Sequence, residues 1–303
     1  MATTTQARSG AVLITGAAGG IGAATARRLD ASGFQVFAGV RRSSDGEKLQ
    51  RDISARITPV LLDITDSVSV AQAAETVTRI SGNAGLVGLV NNAGMIVEGP
   101  VELVPIEEVR KQFEVNVIGH IAVTQAFLPL LRKARGRIIN IGAPTGLVSI
   151  PYLGVLSASK AALESVTDAL RSELRPWGIA VSIVEPAAMQ TEIFQKSKAS
   201  AQQAREQLPG ELVQLYAPAL AAVAKASASQ PLENPDVVVA AIVQALTSRS
   251  PKTRYFAGRG LRIIAVLRLL PDRTRDGLLL RALGLANAQP VSQMSATQSR
   301  ASS

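Results

Sequence analysis

The chain has 303 residues, no cysteine, one histidine and a formal net charge of +9. The missing thiols exclude a disulfide framework and thiolate chemistry, and a lone histidine excludes a multi-histidine metal cluster, so no metal is expected. Hydrophobic residues make up 47% and charged residues 18%, the balance of an ordinary globular protein long enough to bury a large core.

Residues 1–9 lack the apolar core of a signal peptide and read as a disordered tail. The first element follows at once. Ala11-Val12-Leu13-Ile14 is a short apolar run, Thr15-Gly16-Ala17-Ala18-Gly19-Gly20-Ile21-Gly22 a glycine-rich turn, and Ala23 to Leu29 a helical pattern. A buried strand feeding such a turn and then a helix can hold a pyrophosphate. Glycines let the backbone approach the phosphates, and the helix start offers free N–H groups and partial positive charge. The spacing is Gly-x-x-x-Gly-x-Gly, and the same turn also occurs in proteins without a ligand.

Strands are predicted at Val12–Thr15, Gln35–Val40, Ile57–Leu62, Leu86–Asn91, Arg137–Ile141, Ala180–Val184 and Thr253–Ala257, with helical patterns between them. Continuous apolar runs alternating with helices predict an α/β protein: a Rossmann-type, doubly wound parallel sheet of about seven strands in a single domain. No apolar run approaches the ~20 residues of a membrane-spanning helix.

The second strand ends in Arg41-Arg42, with no acidic residue before Asp45. At this point of a dinucleotide fold a carboxylate selects the ribose 2′-hydroxyl, whereas a guanidinium suits a 2′-phosphate. NADP(H) is therefore expected in preference to NAD(H), the other reading being that both arginines are simply solvated. Asp63, closing the third strand, can accept from an adenine amino group or cap the next helix; Thr65 and Asp66 serve the cap better. In Asn91-Asn92-Ala93-Gly94 the amides can tie neighbouring strands while the backbone nears a ligand.

The ordered set TGAAGGIG, Asp63, NNAG, Asn116 in FEVNVIG, Asn140-Ile141-Gly142, Ala158-Ser159-Lys160 and Val184-Glu185-Pro186 resembles the short-chain dehydrogenase/reductase family over residues 10–260. Arg175-Pro176-Trp177-Gly178-Ile179 and Pro251-Lys252-Thr253-Arg254-Tyr255 further resemble bacterial members near the retinol and 17β-hydroxysteroid dehydrogenase branch. The resemblance implies NAD(P)(H) and the interconversion of alcohols and carbonyls. It assigns cofactor contacts to Gly16, Gly20, Ile21, Gly22, Arg41, Asp63, Ile64, Asn92, Ala93, Gly94, Lys160, Pro186 and Thr191, and catalytic roles to Lys160 and Asn116. After Pro186 the family's usual glycine is Ala187.

The resemblance implies a Tyr-x-x-x-Lys with a serine thirteen residues before the tyrosine, and neither the tyrosine nor the serine is kept. With Lys160 as the lysine, the tyrosine position holds Leu156 and the serine position Ala143. A positioned acid or base contributes about 10²–10⁴ in rate, and one oxyanion-type donor about 10²–10³. The expected protein therefore keeps its cofactor site but has a degenerate catalytic pair. It is either an oxidoreductase acting on a lipophilic alcohol or ketone or a non-catalytic NADP(H)-dependent sensor or partner subunit. Tyr152 is a weak surrogate acid, lying in the loop before the helix. Ser157 should point about 100° away from Leu156, Ser149 has no base nearby, and His120 reads as structural before catalytic.

Residues 195–230, rich in Ala, Gln and Ser, match the family's substrate lid, and Pro235–Thr247 reads as a helix. The helices at Pro105–Arg132 and Ser157–Arg175 resemble the family's dimerisation pair, so a homodimer or tetramer is expected by analogy. From Ser250 to Ser303 nine basic residues face two acidic ones, so most of the net charge lies there. Residues 261–286 form a basic helical extension able to pack on the fold, on another subunit or on a membrane surface; residues 287–303 read as a disordered tail. No basic stripe is interleaved with aromatics, which argues against nucleic acid. The expected location is cytoplasmic, with membrane association through the extension as an option.

Overall fold

The computed structural model describes residues 10–286; the two expected tails lie outside them. Seven strands, β1 Ala11–Ile14, β2 Gln35–Val40, β3 Thr58–Leu61, β4 Leu86–Asn91, β5 Arg137–Ile141, β6 Ala180–Pro186 and β7 Arg254–Ala257, form one parallel sheet ordered β3-β2-β1-β4-β5-β6-β7. The predicted strands are all present, with ends shifted by one or two residues. Thr15 leaves β1 for the turn and Pro186 joins β6.

Helices cover both faces because the strands are apolar on both. Val12 and Ile14 of β1 join a core with Val36, Val90, Ile139 and Val184. It is closed by Leu29 of α1 (Gly20–Ala31) and Ile242 of α9 (Asp236–Thr247). Ala11 and Leu13 point the other way, to a core with Phe37, Leu89 and Ile138. Val77 of α3 (Ser67–Ser81) and Phe127 of α5 (Gly119–Ala134) close that face. This is the alternation a strand imposes on successive side chains. Asp66 caps α3 by accepting from Val68 N at 2.9 Å, so the cap falls where Thr65-Asp66 placed it.

α2 spans Ser43–Asp52 and α4 Ile106–Phe113; the helix then runs through a π turn at 114–118 into α5. This continuous helix of residues 106–134 contains a window apolar enough to cross a membrane by length and composition, at mean hydropathy 1.3, although no uninterrupted apolar run in it approaches that length. Half of that window is buried within the fold. The buried Val123, Phe127, Leu130 and Leu131 belong to the second core, and the helix is accounted for as a core helix. α6 (Gly154–Glu173) begins three residues earlier than Ser157, leaving Tyr152 in the preceding loop as expected.

The lid segment forms α7 (Ile193–Glu206) and α8 (Gly210–Ala228), and the extension forms α10 (Arg262–Leu267) and α11 (Asp272–Ala282). Strand order reverses between β1 and β4. The carboxyl ends of these neighbours are where a doubly wound sheet opens a crevice for a ligand.

Candidate active site at the β1/β4 crevice

The glycine turn after β1 is built for close approach. Gly16 and Gly20 have φ of 64° and 53°, a left-handed backbone that side chains resist. A Cβ on Gly22 would lie 2.3 Å from the Gly16 carbonyl oxygen, so only glycine lets α1 pack onto the turn. A Cβ on Gly19, in contrast, would meet nothing within 4 Å. α1 has no side-chain cap and no acidic residue in its first turn. The helix start thus has no side-chain cap and lies next to the open space at Gly19, an arrangement that fits a pyrophosphate.

The segment after β4 holds this turn in place. Asn92 donates from Nδ2 to the carbonyls of Thr15 at 2.9 Å and Gly16 at 3.1 Å. The backbone N–H groups of Asn92 and Ala93 donate to the Thr15 hydroxyl at 2.9 and 3.0 Å. Thr15 was not singled out from the sequence, although it stands directly before Gly16. Asn91 donates to Thr124 at 3.0 Å and to Asn140 at 2.9 Å, and Asn140 to Thr167 at 2.8 Å, a buried polar chain from α5 through β4 and β5 to α6. The amides tie strands as their sequence suggested.

From the other side Thr191 reaches the same turn. Its Cγ2 lies 3.1 Å from where a Cβ on Gly20 would be. Pro186 ends β6, and Ala187 next to it donates to the Ala257 carbonyl at 2.9 Å. The Ala187 Cβ occupies the space a Cβ on Gly258 would need, 2.4 Å away.

The two arginines after β2 behave differently. Arg42 donates twice to Asp45, at 3.0 and 3.1 Å. Arg41 is exposed and makes no hydrogen bond or ion pair among the described residues. Its charge acts on Asp63. Burial works to raise that carboxyl, but hydrogen bonds from the Thr65 N–H at 3.0 Å and hydroxyl at 2.7 Å, together with Arg41, leave it below the usual carboxylate range. Ile64 packs its side chain on Gly119 of α5, where an added Cβ would come within 2.8 Å. Its carbonyl oxygen lies against the same glycine, 2.9 Å from where that Cβ would be.

Lys160 on α6 is buried and donates to the Ile141 carbonyl at 2.7 Å. Burial pushes its amine down to about 8, against the opposing charge of Glu164. Asn116 lies in the π turn. It accepts from Met95 N and donates to Met95 O, both at 3.0 Å, and donates to Ser159 at 3.3 Å. π turns inside helices often mark functional sites, and here the turn brings Asn116 to both the loop after β4 and α6.

Leu156 is buried on α6, one turn before Lys160, and Ala143 follows β5 half-buried. Neither has a polar side-chain atom. Ser157 turns away from the site, accepting from Ile150 N at 3.4 Å, and Ser149 is exposed. Tyr152 has the left-handed φ of 68°, rare for a side chain of this size. Its carbonyl accepts from Gly99 N at 2.8 Å, and burial raises its phenol. It makes no hydrogen bond to Lys160 among the described residues. It lies instead toward Tyr216 of α8, whose hydroxyl donates to Glu102 at 2.6 Å. His120 approaches the Ala93 carbonyl at 2.6 Å through Nε2, while Nδ1 is buried without a partner. Burial and the Lys160 charge push its imidazole down to about 4, so it supports the NNAG loop as a neutral ring.

The lid helix α7 lies over the loop after β4. A cleft between them is lined by Met95, Ile96, Val97, Leu103, Val104 and Ala201. Two half-buried carboxyls also line the cleft, Glu108, which is paired with Lys111, and Glu98, which is pushed up by burial against the effects of Ser197, Lys198 and Arg205.

The family model described as "short chain dehydrogenase" matches residues 10–202. An NADPH-dependent 3-dehydrocapnine reductase from Ornithobacterium rhinotracheale is 34% identical over 89% of this chain and 96% of its own. A 17-beta-hydroxysteroid dehydrogenase type 6 from Bos taurus is 37% identical over 89% of this chain and 88% of its own. A crystal structure of a short chain dehydrogenase from Burkholderia cenocepacia J2315 in complex with NADP superposes with a TM-score of 0.68 at 28% identity, covering 89% of this chain and 97% of that one. The glycine turn, the asparagine tie, Lys160 and these likenesses together place the chain in the short-chain dehydrogenase/reductase family, an oxidoreductase family that uses NAD(P).

Proposed function

We propose that the protein binds NADP(H) in the β1/β4 crevice and is an oxidoreductase in type, directed at a lipophilic alcohol or ketone, with the family's serine–tyrosine pair lost. The free guanidinium of Arg41, beside Asp63 and at the end of β2, supports NADP(H) over NAD(H). The apolar cleft beneath α7 supports a lipophilic ligand. When bound, the cofactor supplies or accepts the hydride. The chain's own residues hold it: the glycine turn and α1 the pyrophosphate, Arg41 the 2′-phosphate, and Lys160 the nicotinamide ribose.

The observation that carries the reading is the Lys160 ammonium. Its hydrogen bond goes to a backbone carbonyl, and the residue one turn before it is a buried leucine. Among the described residues no side-chain hydroxyl hydrogen-bonds Lys160. A second reading, a non-catalytic NADP(H)-responsive sensor or partner subunit, is favoured by that same apolar slot, which disfavours a developing alkoxide.

The test is an NADPH titration followed by turnover assays on a panel of ketones and alcohols. NADPH's own fluorescence is the readout. Trp177 precedes β6, at the sheet edge opposite the crevice, and its ring is stacked by Arg132 at 4.9 Å. Tight binding with turnover supports the first reading, and tight binding with a flat trace the second; absent binding removes both. The double change Ala143→Ser, Leu156→Tyr should raise turnover by at least about 10². No gain with NADPH still bound would overturn the assignment of those two positions.

A further inference from the structure

α10 and α11 are added to a sheet already complete at β7. The extension is fastened at both ends. Leu261 and Leu285 are buried, and the turn at Gly284 lies against Ala222 of α8. Between these anchors the chain turns apolar side chains outward. Ile263 is 63% exposed, Val266 59% and Leu269 82%. Ile263 and Val266 lie three residues apart on α10, and Leu269 repeats that spacing in the turn just after it, where its N–H donates to the Val266 carbonyl at 2.9 Å. On α11, Leu278 and Leu280 are also exposed.

Arginines flank this apolar row. Residues 261–286 contain five arginines and two aspartates. Asp272 is taken by Arg275 at 2.6 Å. Arg268, Arg273 and Arg281 are exposed and make no ion pair among the described residues. We propose that this face docks the protein peripherally on an anionic lipid surface, with Ile263, Val266 and Leu269 entering the headgroup–acyl boundary and the arginines at phosphate depth.

Charge complementarity selects this occupant. Two copies meeting through this face would bring unpaired arginines against one another. An acidic protein would answer the charges but would also need a groove for protruding side chains. An anionic bilayer supplies negative charge and hydrocarbon in adjacent layers, which suits apolar side chains interspersed with guanidinium groups. The proposal does not depend on which reaction, if any, the crevice performs.

The full chain would be sedimented with vesicles of phosphatidylcholine alone and of phosphatidylcholine mixed with phosphatidylglycerol, at low and high salt. Binding to the mixed vesicles only, weakened by salt, is expected. Each arginine at an anionic surface contributes about fivefold, so the variant Arg268→Glu, Arg273→Glu, Arg281→Glu should lose about 100-fold in partitioning. The variant Ile263→Ser, Val266→Ser, Leu269→Ser should lose about 10-fold or more. Melting temperature and NADPH binding of each variant check folding, and Leu269→Ser alone replaces a triple variant that fails to fold. No vesicle binding, equal binding to both vesicle types, or charge-reversed protein that binds as well as the original would overturn the proposal. So would a serine variant with unchanged vesicle binding and a lower oligomeric mass, which would assign the face to a second copy.

Discussion

The Lys160 Nζ donates to the carbonyl oxygen of Ile141 at 2.7 Å, joining α6 to the end of β5. The ammonium is buried there, and burial lowers its pKa to about 8. Only the charged form can clamp a ribose as a full cation. NADPH affinity should therefore be highest below pH 8 and weaken above it, by up to about tenfold per pH unit. Lys160→Met should bind NADPH about 10–100-fold more weakly, as expected for losing a charged hydrogen bond, and should not show that pH dependence. Fluorescence titrations on both sides of pH 8 test this. A pH-dependent loss that persists in the methionine variant would assign it to another group.

The difference between Arg41 and Arg42 gives a second prediction. Arg42 is held by Asp45, whereas Arg41 is free to meet a phosphate. Arg41→Ala should weaken NADPH by about 10–100-fold while leaving NADH within about threefold. Arg42→Ala should change neither by more than about threefold. Parallel titrations with the two cofactors decide, and equal losses for both cofactors in Arg41→Ala would remove the 2′-phosphate role.

These two arginines also mark how far the sequence could be read. The central strands were legible because each is a largely apolar run buried on both faces, whereas the edge strand β3, with Thr58 and Pro59 half-buried and Leu61 exposed, was legible only from its short Val60-Leu61-Leu62 run. The glycine turn was legible because positive φ and close approach demand glycine. Which arginine is free was not, because it depends on the α2 geometry that presents Asp45 to Arg42. The π turn at 114–118 left no mark in FEVNVIG, since one extra residue per turn changes hydrogen-bond register without changing composition. Tyr152 was placed in a loop by Pro151 and Gly154, but its left-handed backbone and its turn toward Tyr216 come from tertiary contacts. That Leu156 lies four residues before Lys160 and Ala143 thirteen before that was legible by counting. That Lys160 bonds a backbone carbonyl, and no side-chain hydroxyl among the described residues, depends on the fold and was not legible.

A third prediction concerns groups far apart in sequence. Arg254 of β7 bridges Glu164 of α6 and Glu185 of β6. Glu185 is fully buried and Glu164 nearly so, and each keeps one oxygen without a partner. Removing the cation strands two carboxylates in the interior. Arg254→Met should cost about 3–5 kcal/mol in urea unfolding. Adding Glu185→Gln to that variant should recover part of the loss. A loss under about 1 kcal/mol would show that water already screens the cluster.

The last prediction is a pH dependence of stability set by His120. The ring is pushed from the ordinary 6.5 down to about 4, first by burial and then by the Lys160 charge. Between those values the unfolded chain holds a proton that the native state does not. Unfolding therefore takes up that proton, and native stability falls as pH drops from about 6.5 to about 4. The loss is at most about 3 kcal/mol across that window. His120→Gln can keep a donor to the Ala93 carbonyl and cannot titrate. Its unfolding free energy should be flatter than the parent's over the same range, with the two proteins differing most below pH 5. Identical slopes from urea denaturation at several pH values would remove His120 as the source of the acid sensitivity.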